Sequence, residues 1–129
     1  MKSKYSSELK QILEKINDKV HYKYPNDEGH KNGTLIDRCV LSPDEKNDGV
    51  PYWDVIDLID FPDEPKSKRI NMRIGYYRKP KDRLVWGSQT TITEPLDVWK
   101  KLLAKTIIEK KWFRELLEEV LEDVKNKIS

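Results

Sequence analysis

Apolar and polar residues alternate at the spacing of an α-helix at the start of the chain. The apolar members recur three or four residues apart and share one face: Tyr5, Leu9, Ile12, Leu13, Ile16 and Val20. Such a stripe predicts an amphipathic helix that packs on a core. We expect this helix to end before Pro25, because a residue that precedes proline disfavours the helical conformation.

The middle of the chain contains β-branched and aromatic runs separated by polar loops, which predicts four strands. They cover residues 34–41, 52–61, 69–78 and 84–93. In the third run the apolar residues Ile70, Met72, Ile74 and Tyr76 alternate with Asn71, Arg73, Gly75 and Tyr77. This period of two is typical of a half-buried strand, so we expect the first set to face the core. Short links between successive strands favour an antiparallel meander.

The last third of the chain is helical in pattern. A single helix over residues 95–127 would be about 50 Å long, whereas a domain of this size is only about 36 Å across. The segment is therefore expected to break, and Thr106 with Glu109 resembles a capping box that starts a second helix. The expected core residues are Leu96, Trp99, Leu102 and Leu103 in the first helix, and Phe113, Leu117, Val120, Leu121, Val124 and Ile128 in the second.

The order of these elements predicts a fold class. A helix, four strands and two helices indicate one α+β domain over residues 1–129, with a mainly antiparallel sheet and two C-terminal helices packed on one face. Charged residues make up 37% of the chain, yet the net charge is only +2 and apolar residues follow clear periods. This balance argues against disorder, which requires low hydrophobicity together with high net charge.

The sequence also bears on the compartment of the protein. Cys39 is the single cysteine, so no internal disulfide forms, which fits a reducing compartment. The N-terminus has no apolar signal-peptide core, and no apolar run is long enough to span a bilayer. We therefore expect a cytoplasmic protein without a membrane partner.

Charge is unevenly distributed along the chain, and this gives the first candidate site. Residues 25–68 carry a net charge of −6 and residues 69–93 carry +5. Cationic and aromatic side chains on one sheet face bind phosphates and stack bases. The predicted binding residues are Arg73, Tyr77, Arg78, Lys79, Lys81, Arg83 and Gln89. In the alternative interpretation, the arginines pair across strands with Asp54 and Asp60.

Acidic residues give a second candidate, a metal-dependent hydrolase that uses Asp54, Asp57 and Glu64. Clustered carboxylates suit a divalent ion, but Pro65 interrupts the strand that would hold them. We predict no catalytic residues, no metal and no cofactor, because no compact catalytic or phosphate-loop motif is present.

Two adjacent aromatic residues, Trp112 and Phe113, give a candidate interface, because one helical stripe does not comfortably bury both. The favoured function is a non-catalytic protein-binding or adaptor domain. A nucleic-acid-binding domain is the alternative, and the oligomeric state, including a homodimer, stays open.

Overall fold

The polar and apolar patterns produce a five-stranded antiparallel sheet with helices on both faces. The structure is a computed structural model that describes residues 6–23, 30–47, 49–87 and 92–128. The elements are α1 (Ser6–Leu13), β1 (Lys19–Lys23), β2 (His30–Leu41), β3 (Trp53–Asp60), α2 (Lys66–Arg69), β4 (Ile70–Arg78), β5 (Val85–Trp86), α3 (Leu96–Glu109) and α4 (Lys111–Ile128). The strands lie in chain order, and every neighbouring pair is antiparallel. The predicted α+β class, meander and flanking helices are confirmed.

The strand count of four is wrong, because the predicted N-terminal helix is too long. The helix α1 ends at Leu13, and Asn17 adopts a left-handed φ of 79° that no α-helix contains. The chain then turns back as β1 and pairs with β2, so that Val20 lies opposite Gly33. Val20 packs on the core beside Leu35, and strand pairing therefore overrides the helical spacing of its apolar residues.

The strand β3 occupies the middle of the sheet, and both of its faces are buried. On the first face, Val55 packs with Ile12 of α1. On the second face, Ile56 packs with Leu102 of α3 and Phe113 of α4. The two C-terminal helices therefore share the second face, while α1 covers part of the first.

The expectation that the apolar residues of β4 face the core is wrong for three of the four, whereas Tyr76 is buried as expected. Ile70, Met72 and Ile74 lie on the second face, where Ile74 is opposite Ile56, yet all three are exposed. Their exposure follows from the position of α3, which packs over β2 and β3. Arg73, expected in solvent, instead points to the first face opposite Asp57.

The break between the C-terminal helices falls at Lys110, four residues later than the predicted start at Thr106. Thr106 is buried inside α3, where its Oγ1 donates to Leu102 O at 2.7 Å, so the predicted capping box is wrong. Lys110 leaves the helical conformation, and its Nζ lies 2.8 Å from Asp37 Oδ1. This contact favours the turn at that residue.

The fourth predicted strand is much shorter in the structure, where β5 contains only Val85 and Trp86. Residues 88–91 lie outside the described residues. In the described parts of the chain, no helix combines the length and the apolar character that crossing a membrane requires.

Candidate functional site

Two of the predicted binding residues, Arg73 and Tyr77, belong to a buried ionic network on the first face. Asp57 accepts hydrogen bonds from Arg38 Nε at 2.7 Å and Arg38 Nη2 at 3.0 Å. It also accepts from Arg73 Nη2 at 2.9 Å. A third donor group of Arg38, Nη1, donates to Tyr77 Oη at 2.9 Å. Arg73 and Tyr77 therefore hold neighbouring strands of the sheet together around the buried carboxylate of Asp57.

Trp86 completes this network from β5. The guanidinium carbon of Arg73 lies 4.5 Å from the centre of a Trp86 ring, a cation–π distance. The Trp86 ring also covers Gly75, where an added Cβ would lie 2.2 Å from the ring. Glycine at position 75 is thus required by the close approach of Trp86, and the surface has no open stacking platform there.

The alternative, in which the arginines pair across strands with Asp54 and Asp60, is only partly correct. Arg69 does pair with Asp60, at distances of 2.6 and 3.0 Å, but it is the last residue of α2 and not part of a strand. Arg73 pairs with Asp57 rather than Asp54, because Asp57 lies directly opposite it in the register.

The other predicted cations lie at the turn between β4 and β5. Lys79 Nζ lies 2.6 Å from Glu8 Oε1, and this hydrogen bond lowers the pKa of Glu8. Arg78, Lys81 and Arg83 are exposed, and the described residues place no acidic partner within ion-pair distance of them. Gln89 lies outside the described residues.

A cleft of about 570 Å³ separates this turn from α1. Tyr77, Lys79 and Arg83 line it from one side, and Glu8 of α1 and Glu14, which directly follows α1, line it from the other. The structure therefore brings together three of the predicted binding residues, but beside two carboxylates that weaken attraction for an anion.

The carboxylates of the predicted hydrolase do not converge. Asp57 points to the first face and Asp54 to the second, since they are three residues apart on one strand. Glu64 follows the strand and lies 3.8 Å from Lys31 Nζ. No group of three potential metal ligands occurs within the described ranges.

Asp54 is instead part of a buried cluster that anchors the start of α3. Lys46 Nζ lies 2.8 Å from Asp54 Oδ2 and 3.1 Å from Glu94 Oε2. The same ammonium donates to the carbonyl oxygens of Tyr52 at 2.6 Å and Val50 at 3.2 Å. An ammonium has three protons, so one remains for the two carboxylates. Burial, and then the neighbouring Glu94, raise the pKa of Asp54 to about 7, although Lys46 opposes this shift.

The predicted interface pair anchors the start of α4. Phe113 is buried against α3, and Trp112 is half-buried with its ring edge-on to Phe113. Trp112 Nε1 donates to Asp37 Oδ2 at 2.9 Å. Burial alone would raise the pKa of Asp37, but hydrogen bonds from Lys110 and Trp112 outweigh it and lower that pKa. Both aromatic residues are thus engaged within the chain.

Beyond this anchor, the apolar stripe of α4 faces solvent. Every residue from 118 to 128 is exposed, including Leu121 at 70% and Ile128 at 79%. The sequence pattern places these side chains in the core, whereas among the described residues no element covers them. We define the α4 surface as the exposed apolar residues Leu116, Val120, Leu121, Val124 and Ile128.

A second exposed apolar area lies on the sheet. We define the β4 patch as Ile70, Met72 and Ile74, of which Ile70 is 54% exposed. Met72 lies beside Leu58 of β3, which in turn lies beside Asp37 of β2, the residue that holds Trp112. Adjacent strands are about 4.8 Å apart, so the patch begins about 10 Å from the anchor of α4.

Comparisons with protein-family models, with curated proteins and with solved structures found no match.

Proposed function

We propose that the chain is a protein-binding module and that a protein partner docks on the α4 surface. The observation that carries this proposal is the exposure of a full apolar helical stripe over residues 116–128. Single exposed apolar side chains are ordinary on protein surfaces, whereas a contiguous set bordered by charges marks an interaction site.

The energetics of α4 support the same conclusion. Burial of one large aliphatic side chain contributes about 1.5–3 kcal/mol, and Leu121 and Ile128 forgo most of this in the isolated chain. A helical segment of this length without tertiary contacts is marginally stable in water. A partner that covers the stripe therefore gains apolar burial and stabilises the end of α4 together. This geometry corresponds to the docking of an amphipathic helix in an apolar groove.

Site-specific photocrosslinking tests this proposal. A photoreactive residue replaces Leu121, and the matched control carries it at Ile108, which is 77% exposed on α3. We expect discrete adducts in native lysate from position 121, and none from position 108. A second copy of the chain and a different protein both count as partners.

A further variant makes the crosslinking result specific. Val124→Glu in the protein labelled at position 121 is expected to abolish the adducts, because a charge in the stripe opposes apolar docking. Equal labelling from positions 108 and 121, or adducts that persist in Val124→Glu, would contradict docking on the α4 surface.

Binding of an anionic polymer such as nucleic acid is a second candidate. It is favoured by Arg78, Lys81 and Arg83, which are exposed at one turn. An amide NMR titration with short oligonucleotides is expected to shift residues 78–83, more weakly at higher salt. Lys81→Ala with Arg83→Ala should remove the shifts. A spectrum that stays unchanged at low salt would contradict this candidate.

The cytoplasm is the compartment that we propose for this module. Cys39 is buried and unpaired, and burial raises the pKa of its thiol. A buried thiol of this kind is shielded from oxidation. Since it forms no disulfide, the fold does not require an oxidising environment. Fractionation of the native cell tests this location, and recovery in a membrane or secreted fraction would contradict it.

A further inference from the structure

We propose that the partner on the α4 surface is a second copy of this chain, whose β4 patch receives it. This inference rests on the proposed function and names its occupant. Each copy carries both surfaces, so the α4 surface of each copy docks on the β4 patch of the other. Such an exchange forms a closed dimer with two-fold symmetry and two identical contacts.

The two surfaces match in chemical character. Both present branched or flexible aliphatic side chains, such as Leu121 on the helix and Ile70 on the sheet. The apolar stripe over residues 116–128 is about 18 Å long at 1.5 Å per residue. The β4 patch, from Ile70 to Ile74, is about 13 Å long. A helix laid on the patch therefore covers its whole length.

The charges that border the two surfaces have opposite signs. Residues 115–128 of α4 contain five acidic residues and two basic ones, Lys125 and Lys127, so the border of the α4 surface is acidic on balance. The short helix α2 precedes the β4 patch directly, and its Lys66, Lys68 and Arg69 are exposed. Asp60 pairs with Arg69, which leaves the two lysines for an acidic partner. Complementary charge of this kind favours encounter and fixes orientation.

The same charges disfavour a dimer formed by two parallel α4 helices. Residues 115–124 of one copy would then lie beside residues 115–124 of the other, and this would bring ten carboxylates together, five from each chain. Juxtaposed like charges oppose association. The reciprocal arrangement avoids this repulsion and covers both exposed apolar areas.

Sedimentation over a range of protein concentrations tests the dimer. We expect the wild type to pass from monomer to dimer as concentration rises. Leu121→Glu and Met72→Glu should each remain monomeric, because each places a charge in the apolar contact. Ile108→Glu, the matched control on α3, should dimerise as the wild type does. Ile70→Glu replaces Met72→Glu if the latter unfolds.

A mixing experiment tests the reciprocal geometry. Leu121→Glu retains an intact β4 patch, and Met72→Glu retains an intact α4 surface. Their mixture can form one of the two contacts, so we expect a heterodimer that neither variant forms alone. Its dissociation constant should exceed that of the wild type at least tenfold, because one contact is lost.

The outcomes separate this inference from the proposed function. A wild type that is monomeric at every concentration, or a Met72→Glu variant that dimerises normally, overturns the reciprocal dimer. Crosslinking from position 121 to a different protein would still support the α4 surface in that case. Loss of both self-association and site-specific crosslinking overturns the two proposals together.

Discussion

The two C-terminal helices have similar apolar patterns but opposite fates. In α3, Val98, Leu102 and Thr106 are fully buried. Two residues that we expected in the core of this helix, Leu96 and Leu103, are exposed. In α4, Phe113 alone is fully buried, and the stripe beyond Leu117 faces solvent. An apolar stripe on a helix thus indicates a surface that packs against another surface. The stripe does not show whether that other surface belongs to the same chain or to a partner.

The helices also differ in how they are attached to the sheet. The start of α3 is held by Glu94 in a fully buried cluster with Lys46 and Asp54. The start of α4 is held by Trp112 on Asp37, which is partly exposed. The attachment of α3 is therefore part of the core, and that of α4 sits at its edge.

The largest expected effect comes from truncating the buried stripe of α3. Leu102→Ala should lower the free energy of unfolding by about 2–5 kcal/mol, because it leaves a cavity between α3 and β3. Denaturant unfolding at a concentration where the chain is monomeric measures this change. A loss no greater than that of an exposed residue would contradict the assignment of α3 to the core.

The next effect is a pH dependence confined to the attachment of α3. The unfolded chain releases the Asp54 proton near pH 4, whereas the folded chain keeps it until about pH 7. Stability should therefore fall by about 1 kcal/mol per pH unit between these values and level off above them.

Asp54→Asn is the control for this pH dependence, because its amide donates to Glu94 at every pH. The free energy of unfolding of the two proteins, measured from pH 5 to pH 8 in steps of about one pH unit, should agree at low pH and differ increasingly as pH rises. Parallel curves would mean that Asp54 holds no extra proton in the folded state.

The attachment of α4 should contribute less. Trp112→Phe keeps the aromatic ring and removes the hydrogen bond to Asp37, which should lower stability by about 1 kcal/mol. The loss should not change above pH 5, since the pKa of Asp37 is already lowered. A loss as large as that of Leu102→Ala would remove the distinction between the two attachments.

The smallest effect is expected in the exposed stripe. Leu121→Ser should change the stability of the monomer by about 0.5 kcal/mol or less, as exposed positions usually do. The same change should weaken dimerisation strongly. A monomer destabilised by several times that amount would show that Leu121 serves the fold rather than association.

Local periodicity was sufficient to predict most of the fold. Alternation in residues 70–77 predicted β4, and apolar spacing predicted that the last third of the chain is helical. The length of that segment, compared with the size of the domain, predicted its break into two helices. Local periodicity failed at Val20, whose helical spacing was overridden by pairing of β1 with β2. The predicted capping box at Thr106 also failed. The helix continues through this residue, and its hydroxyl donates to Leu102 O instead of capping a new helix.

The candidate sites were less predictable, because they depend on which elements cover which faces. Arg73 was predicted as a binding residue, with a cross-strand ion pair as the alternative, and its partner Asp57 follows only from the β3–β4 register. The exposure of Ile70 depends on the position of α3 over β2 and β3, which no local pattern encodes. The exposure of Leu121 depends on which described elements reach the end of α4, and no local pattern encodes that either. Trp112 was predicted as an interface residue because one helical stripe does not comfortably bury it together with Phe113. In the structure it is half-buried, and its Nε1 donates a hydrogen bond to Asp37.

Paramagnetic NMR on a mixed dimer tests docking of α4 on the neighbouring sheet most directly. A nitroxide is attached through Lys125→Cys to an unlabelled chain, since Cys39 is buried, and this chain is mixed with an isotope-labelled wild type. The reciprocal dimer predicts broadening of the amides of residues 70–74 in the labelled copy. Broadening confined to residues 116–128, or none under dimer-forming conditions, would contradict it.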